Sequence, residues 1–88
     1  MITVSKVNDT TFEVTVESGT TTTHTVTVSP EICRQLTGGT VPAEMLVEKS
    51  FEFLLERESN TSILRQFDLP VIGRYFPEYE QEIKGRLA

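Results

Sequence analysis

The sequence has a single cysteine, a single histidine and no apolar run approaching the length of a membrane span. One cysteine cannot form an internal disulfide, and one thiol with one imidazole cannot supply the four ligands of a structural zinc site. No N-terminal segment resembles a signal peptide, and a bilayer span would need roughly 20 apolar residues. We therefore expect a reduced, cytoplasmic protein with no metal, no cofactor and no membrane association.

What is present is an ordinary globular composition with an acidic balance. The chain has 88 residues, 38% hydrophobic and 24% charged, and its formal net charge is −5. This length predicts a single domain over residues 1–88, and a run of strands followed by helices predicts the α+β class. Because negative charge repels a phosphate backbone, nucleic acid is an unfavourable partner.

Three segments in which apolar and polar residues alternate predict the strands of an antiparallel β-meander. They cover about 2–7, 11–17 and 23–29. Short turn-forming sequences separate them, at Asn8–Thr10 and Ser18–Thr20. Short turns favour antiparallel neighbours, so the strand at 11–17 is expected in the centre and the outer two as exposed edges.

The remainder predicts helices packed on one face of this three-stranded sheet, with the largest apolar stripe in residues 42–58. Pro42 suits the first turn of that helix, and Thr40 is placed to cap it. The stripe consists of Ala43, Leu46, Val47, Ser50, Phe51, Leu54 and Leu55. Shorter helices are expected at about 30–37, 62–67, 70–76 and 77–87. Ser29 should cap the first of these, and Gly38 and Gly39 should end it.

His24 and Cys33 are the side chains whose chemistry could support catalysis or ligand binding. Alternation places His24 on the aliphatic face near the rim of the sheet, either as a general base or as a half-buried residue with one hydrogen bond. Cys33 lies in the first turn of a predicted helix, which can activate a thiol, but its neighbours favour a small buried hydrophobe. No nucleophile or second base has a recognisable spacing to either residue. A small enzyme or ligand carrier is therefore only an alternative hypothesis.

Residues 62–84 allow a second alternative, an antitoxin-like or regulatory DNA-binding protein. Two short helical patterns flank Asp68–Pro70, as in a helix-turn-helix. Phosphate contacts would come from Arg65, Arg74, Lys84 and Arg86. Against this, three glutamates would lie in or near the recognition helix and Pro77 would interrupt it, so we expect DNA binding to be unfavourable.

The densest aromatic patch consists of Tyr75, Phe76 and Tyr79. Such residues are enriched at protein interfaces, and in a small domain they also close the core. The long helix adds an acidic face of Glu44, Glu48, Glu52 and Glu56. With open strand edges and no catalytic constellation, these features predict a non-catalytic protein–protein interaction module, which binds an unknown protein partner or itself.

Four runs carry a resemblance to known proteins: SFEFLLERE at 50–58, SIL at 62–64, FDLPVI at 67–72 and YFPEYE at 75–80. They resemble a group of small bacterial proteins of unassigned function, over about the last half of the chain. The resemblance implies a bacterial, cytosolic, single-domain protein that is β-rich first and helical afterwards. It implies no activity, substrate or cofactor.

Overall fold

Four strands form one mixed sheet in the computed structural model, which describes residues 1–87 of the chain. In spatial order they are β1 (Ile2–Lys6), β2 (Thr11–Ser18), β3 (Thr20–Thr27) and β4 (Gln66–Asp68). The first three pair antiparallel, which confirms the predicted meander, and β4 pairs parallel to β3. The α+β class is therefore confirmed, whereas the three-stranded sheet was one strand short.

The third strand lies earlier in the chain than residues 23–29. Gly19 has a φ of 78°, in the left-handed region that glycine adopts without strain. It makes the turn so tight that Ser18 already pairs with Thr20. The run of threonines at 20–23 therefore belongs to β3 rather than to a loop.

The helix predicted at 62–67 is absent from the described chain. Residues Asn60–Ser62 form one 3₁₀ turn, and the segment then extends into β4. The Arg65 carbonyl accepts from the Thr25 N–H at 2.7 Å, and the Leu69 N–H donates to the Thr27 carbonyl at 2.9 Å. Unpaired backbone groups along β3 thus find partners, which outweighs a weak local helix signal. The prediction that residues 23–29 form an open edge was therefore wrong for residues 25–27, which pair with β4.

The other four predicted helices are present, with ends that differ by a few residues. They are α1 (Pro30–Thr37), α2 (Ala43–Leu55), α3 (Val71–Tyr75) and α4 (Tyr79–Leu87). Ser29 caps α1 as predicted, its hydroxyl accepting from the Ile32 N–H at 3.2 Å, and left-handed Gly38 ends it. Thr40 does not cap α2: its hydroxyl donates to the Thr37 carbonyl, and Pro42 occupies the cap position with no side-chain hydrogen bond.

One side of α2 covers the inner face of the sheet, as its apolar stripe predicts. Leu46, Val47, Phe51 and Leu54 are almost completely buried, together with Phe12, Val14, Val16 and Val26 of the sheet. The outer face of the sheet carries threonines and glutamates that are exposed or half-buried. This two-layer arrangement leaves the opposite side of α2 available to another element.

That element is α4, which packs against Phe53 of α2. Phe53 is completely buried although it lies outside the predicted stripe. Its ring meets Phe76 and Tyr79 edge-on, with centroid distances of 5.9 and 5.3 Å. The Arg57 guanidinium lies 3.7 Å from the same ring centroid. Aromatic and cation–π contacts therefore close the second side of α2.

A buried hydroxyl pair fixes α4 on α2. Ser50 Oγ donates to the Leu46 carbonyl at 2.7 Å and lies 2.6 Å from the Tyr79 hydroxyl. Because the single hydroxyl hydrogen of Ser50 is used by Leu46, the Tyr79 O–H must donate to Ser50 Oγ. Burial raises the pKa of Tyr79 to about 12.

Tyr79→Phe tests this pair. A net hydrogen bond contributes about 0.5–1.5 kcal/mol, so we expect a loss of about 1 kcal/mol at pH 7 in urea unfolding. The Tyr79 pKa is raised above the ordinary value of 10.0. The neutral Tyr79 side chain therefore makes its full contribution to the free energy of unfolding below pH ~10, and this contribution is lost as the pH rises towards ~12. Between those pH values the free energy of unfolding of the wild type should fall towards that of Tyr79→Phe. The control is Tyr75→Phe, which changes an exposed tyrosine and should leave the free energy of unfolding at pH 7 unchanged. A constant difference from pH 7 to 12 would contradict the assignment.

An apolar groove and a buried polar network as the candidate functional site

An apolar groove of about 420 Å³ lies among the end of α2, the segment 62–64, β4 and α3. This volume falls in the range of roughly 300–1,000 Å³ typical of binding pockets. Its most buried lining residues are Leu54, Ile63, Phe67 and Ile72. Val71, Phe76 and Glu58 are half-buried, and Ser62, Leu64 and Tyr75 are exposed.

Two large apolar side chains of the groove remain in solvent. Leu64 is 46% exposed and Tyr75 is 67% exposed. Tyr75 ends the short helix α3, and Leu64 lies in the extended segment between the 3₁₀ turn and β4. Adjacent exposed apolar groups that border a concavity are typical of interaction sites. This part of the surface therefore has the exposed apolar character of an interaction site.

The groove also contains one carboxylate, that of Glu58. Burial raises the pKa of this side chain, and it is the only cause of the shift. Within residues 1–87, Glu58 forms no ion pair. A partly desolvated, unpaired carboxylate has an electrostatic cost that a bound cation would reduce.

A buried network of side chains holds the segment beside the groove. Asn60 Nδ2 donates to the Thr20 carbonyl at 2.7 Å and to Thr22 Oγ1 at 3.1 Å. Thr22 Oγ1 lies 2.9 Å from His24 Nε2, and His24 Nδ1 lies 2.7 Å from the Leu64 carbonyl. These bonds tie both ends of the segment 60–64 to the part of β3 that β4 does not reach.

The direction of each bond in this network follows from its carbonyl acceptors. The Leu64 carbonyl can only accept, so His24 Nδ1 carries the hydrogen. In neutral histidine Nε2 is then an acceptor, so the Thr22 hydroxyl donates to it while accepting from Asn60. Every polar atom of the His24 ring is thus used within the protein.

His24 is therefore more buried than the sequence indicates. It was expected to be half-buried with one hydrogen bond, but it is completely buried and has two. The reason is that Asn60 and the Leu64 carbonyl hold the segment 60–64 against this end of β3, and Phe51 packs at a ring-centroid distance of 5.4 Å. His24 faces the core and does not line the groove.

Cys33 lies elsewhere and is not brought together with His24. Its side chain is half-buried against the edge of the core. Its sulfur lies 3.9 Å from the Thr37 hydroxyl, which donates to the Cys33 carbonyl at 2.6 Å. Cys33 does not line the groove either. The structure thus places His24 and Cys33 apart from one another and both outside the groove.

The three aromatic residues predicted as an interface divide between two places. Tyr75 lines the groove and is exposed, whereas Tyr79 is buried between α4 and α2. Phe76 belongs to both, because it lines the groove and packs against Phe53. Glu58 and Leu64, which complete the groove, were missed as site residues, although Leu64 adjoins Ile63 in the apolar pair of SIL.

The arrangement expected for DNA binding is not found. The first helix of the predicted helix-turn-helix is replaced by the 3₁₀ turn and β4. Two of the cations are also engaged: Lys84 pairs with Glu80 at 3.1 Å, and Arg86 pairs with Glu56 at 2.6 Å. The hydrogen bond between Arg86 and Glu56 lowers the pKa of Glu56 and raises that of Arg86.

The acidic face of α2 is likewise partly neutralised, with Glu52 3.5 Å from Lys49. Across residues 1–87, no three His, Cys, Asp or Glu side chains are placed to hold a metal ion. In the same part of the chain, no helix has the length and apolar character required to cross a bilayer.

Comparison with protein-family models, curated proteins and solved structures finds no match to this chain. The bacterial family resemblance at residues 50–80 therefore stays a prediction. The function must be inferred from the groove itself.

Proposed function

We propose that this protein is a non-catalytic interaction module that binds a segment of a protein partner in the apolar groove. The carrying observation is that Leu64 and Tyr75 stay exposed beside a concavity whose other lining is mostly apolar. Aromatic and aliphatic groups placed in this way commonly dominate binding energy at protein interfaces.

The surroundings of the groove support a preformed site. The backbone at Leu64 is fixed by the His24 hydrogen bond, and Phe76 is fixed by its edge contact with Phe53. A site held by buried contacts loses little conformational entropy when a partner binds. Catalysis has no comparable support, since His24 and Cys33 lie outside the groove.

Selection from a displayed library of random 12-residue peptides tests this function. We expect the selected peptides to have apolar residues at a regular spacing. We also expect Leu64→Ser and Tyr75→Ala each to reduce the affinity for these peptides about tenfold, because such anchors contribute roughly 1–2 kcal/mol. Met45→Ser is the matched control, because Met45 is also 46% exposed but lies outside the groove. Fluorescence polarisation provides the affinities, and urea unfolding should show changes within about 0.5 kcal/mol for all three variants. Selected peptides that bind Leu64→Ser as tightly as the wild type would contradict the proposal.

A second copy of the chain is the alternative occupant of the groove. Sedimentation equilibrium distinguishes it, because dimerisation through the groove should be weakened by Leu64→Ser and unaffected by Met45→Ser. Dimerisation that both variants leave unchanged would instead locate self-association on another surface.

A further inference from the structure

Glu58 distinguishes the groove from a purely apolar binding surface. It is the only charged residue among those that line the groove in the described chain. The neighbouring Leu64 and Tyr75 offer apolar contact area, and Ser62 offers one hydroxyl. A partner that fills the groove must therefore satisfy one carboxylate as well as the apolar surface.

None of the cations in residues 1–87 forms an ion pair with Glu58. Arg57 Nε is 3.1 Å from Glu78 Oε2, and its guanidinium covers the Phe53 ring, on the α4 side of α2. Arg86 pairs with Glu56. Arg65 and Arg74 adjoin groove residues in sequence but do not line the groove. Glu58 is therefore left without an ion-pair partner within residues 1–87.

A ligand that fills the groove without bringing a cation would increase the desolvation cost of the Glu58 carboxylate. An apolar side chain would displace water from the carboxylate, and removing water from an unpaired charge costs free energy. Burial already raises the pKa of Glu58, so this cost is present before anything binds. A cation on the partner would offset it through a charge-assisted hydrogen bond. The net charge of −5 also favours encounter with a cationic segment.

We propose that the bound segment carries a lysine or arginine next to its apolar side chains, and that Glu58 accepts this cation at the rim of the groove. The inference rests on the proposed function and adds the chemistry of the partner. The groove thus selects a cationic amphipathic segment over a neutral apolar one.

The experiment repeats the 12-residue peptide selection on the wild type, Glu58→Gln and Glu44→Gln. Glu44 is the matched control, because it is an exposed carboxylate of α2 outside the groove and its loss changes the net charge equally. Among peptides that require Leu64, we expect lysine or arginine at a fixed distance from the apolar anchors for the wild type and Glu44→Gln. That enrichment should disappear for Glu58→Gln. One selected peptide and its analogue with citrulline in place of arginine, or norleucine in place of lysine, then complete a double-mutant cycle.

For the cationic peptide, Glu58→Gln should weaken binding about three- to fivefold, the range of a partly exposed ion pair, and Glu44→Gln should not. The neutral analogue should bind all three proteins with equal affinity or prefer Glu58→Gln. If Leu64-dependent peptides lack a cation, or Glu44→Gln weakens them equally, the inference fails while the docking function stands. If no selected peptide depends on Leu64, the docking function fails and the inference fails with it.

Discussion

Replacing Phe53 with alanine is expected to lower the free energy of unfolding by about 3–5 kcal/mol, the usual range for removal of a buried phenylalanine. Domains of this size have a total stability of roughly 5–15 kcal/mol, so the variant should be close to unfolding. Phe53 is completely buried and joins α2 to α4 through Phe76 and Tyr79. Its loss would leave a cavity that neither helix can close without moving.

The charged neighbours of Phe53 increase this effect. Arg57 and Arg86 lie 3.7 and 5.8 Å from the ring centroid. The same arginines pair with Glu78 and Glu56, so the ring supports the position of ion pairs between α2 and the α4 region. Phe53→Leu keeps most of the apolar volume but loses the cation–π and edge contacts, so a smaller loss of about 1–2 kcal/mol is expected.

Urea unfolding measures these changes, with Met45→Ala on the exposed side of α2 as the control. Met45→Ala should shift the free energy of unfolding by no more than about 0.5 kcal/mol. A change below about 1 kcal/mol for Phe53→Ala would mean that α4 does not depend on this contact. Because Phe76 both touches Phe53 and lines the groove, Phe53→Ala should also weaken groove-binding peptides.

The sheet and the long helix were predictable because their signals are local. Alternation in residues 11–17 places Phe12, Val14 and Val16 on one face, and all three are completely buried. The stripe from Leu46 to Leu54 indicates a helix face in the same direct way. In both cases the periodic pattern alone identifies the element and its buried face, because the pattern is the same whichever distant element packs on that face.

The features that were missed depend on contacts between distant segments. Strand β4 has three residues and exists because β3 offers backbone groups to it. Phe53 lies in sequence between Lys49 and Arg57, four residues to either side, and its burial depends on α4 and on the Arg57 guanidinium that covers its ring. Neither contact leaves a periodic signal in the segment concerned.

The groove was missed for the same reason. Tyr75 and Phe76 were predicted as interface candidates from their aromatic character. Glu58 and Leu64 line the same groove only because the chain after α2 turns back and pairs with β3 through β4. His24 was correctly placed on the inner face by alternation. Its complete burial depends on Asn60 and Leu64, which follow it by 36 and 40 residues in sequence.

Thr22→Val is expected to lower the free energy of unfolding by about 2–3 kcal/mol, although valine has nearly the shape of threonine. Thr22 is 2% exposed, and its hydroxyl donates to His24 Nε2 while accepting from Asn60. The substitution leaves the buried imidazole nitrogen without a donor, and each such unsatisfied group costs about 1–3 kcal/mol. Asn60 keeps its bond to the Thr20 carbonyl, which limits the loss.

The adjacent residue provides the control, because Thr23 is exposed on the outer face of the same strand. Thr23→Val should change the free energy of unfolding by at most about 0.5 kcal/mol, and the β propensity of valine could even make it stabilising. Thr22→Ser should recover most of the loss, because it restores the hydroxyl. Equal effects of Thr22→Val and Thr23→Val in urea unfolding would show that the network has no net stabilising role.

The same substitution should reach the groove through His24. The imidazole holds the Leu64 carbonyl at 2.7 Å, so a network that has lost its Thr22 donor holds residues 60–64 less firmly. Amide hydrogen exchange in that segment should accelerate in Thr22→Val and not in Thr23→Val. Groove-binding peptides should weaken in parallel, because Leu64 would have to be ordered on binding. If amide exchange at residues 60–64 is unchanged, the hydrogen-bond network does not order the groove, and its role is limited to stabilising the rim of the sheet.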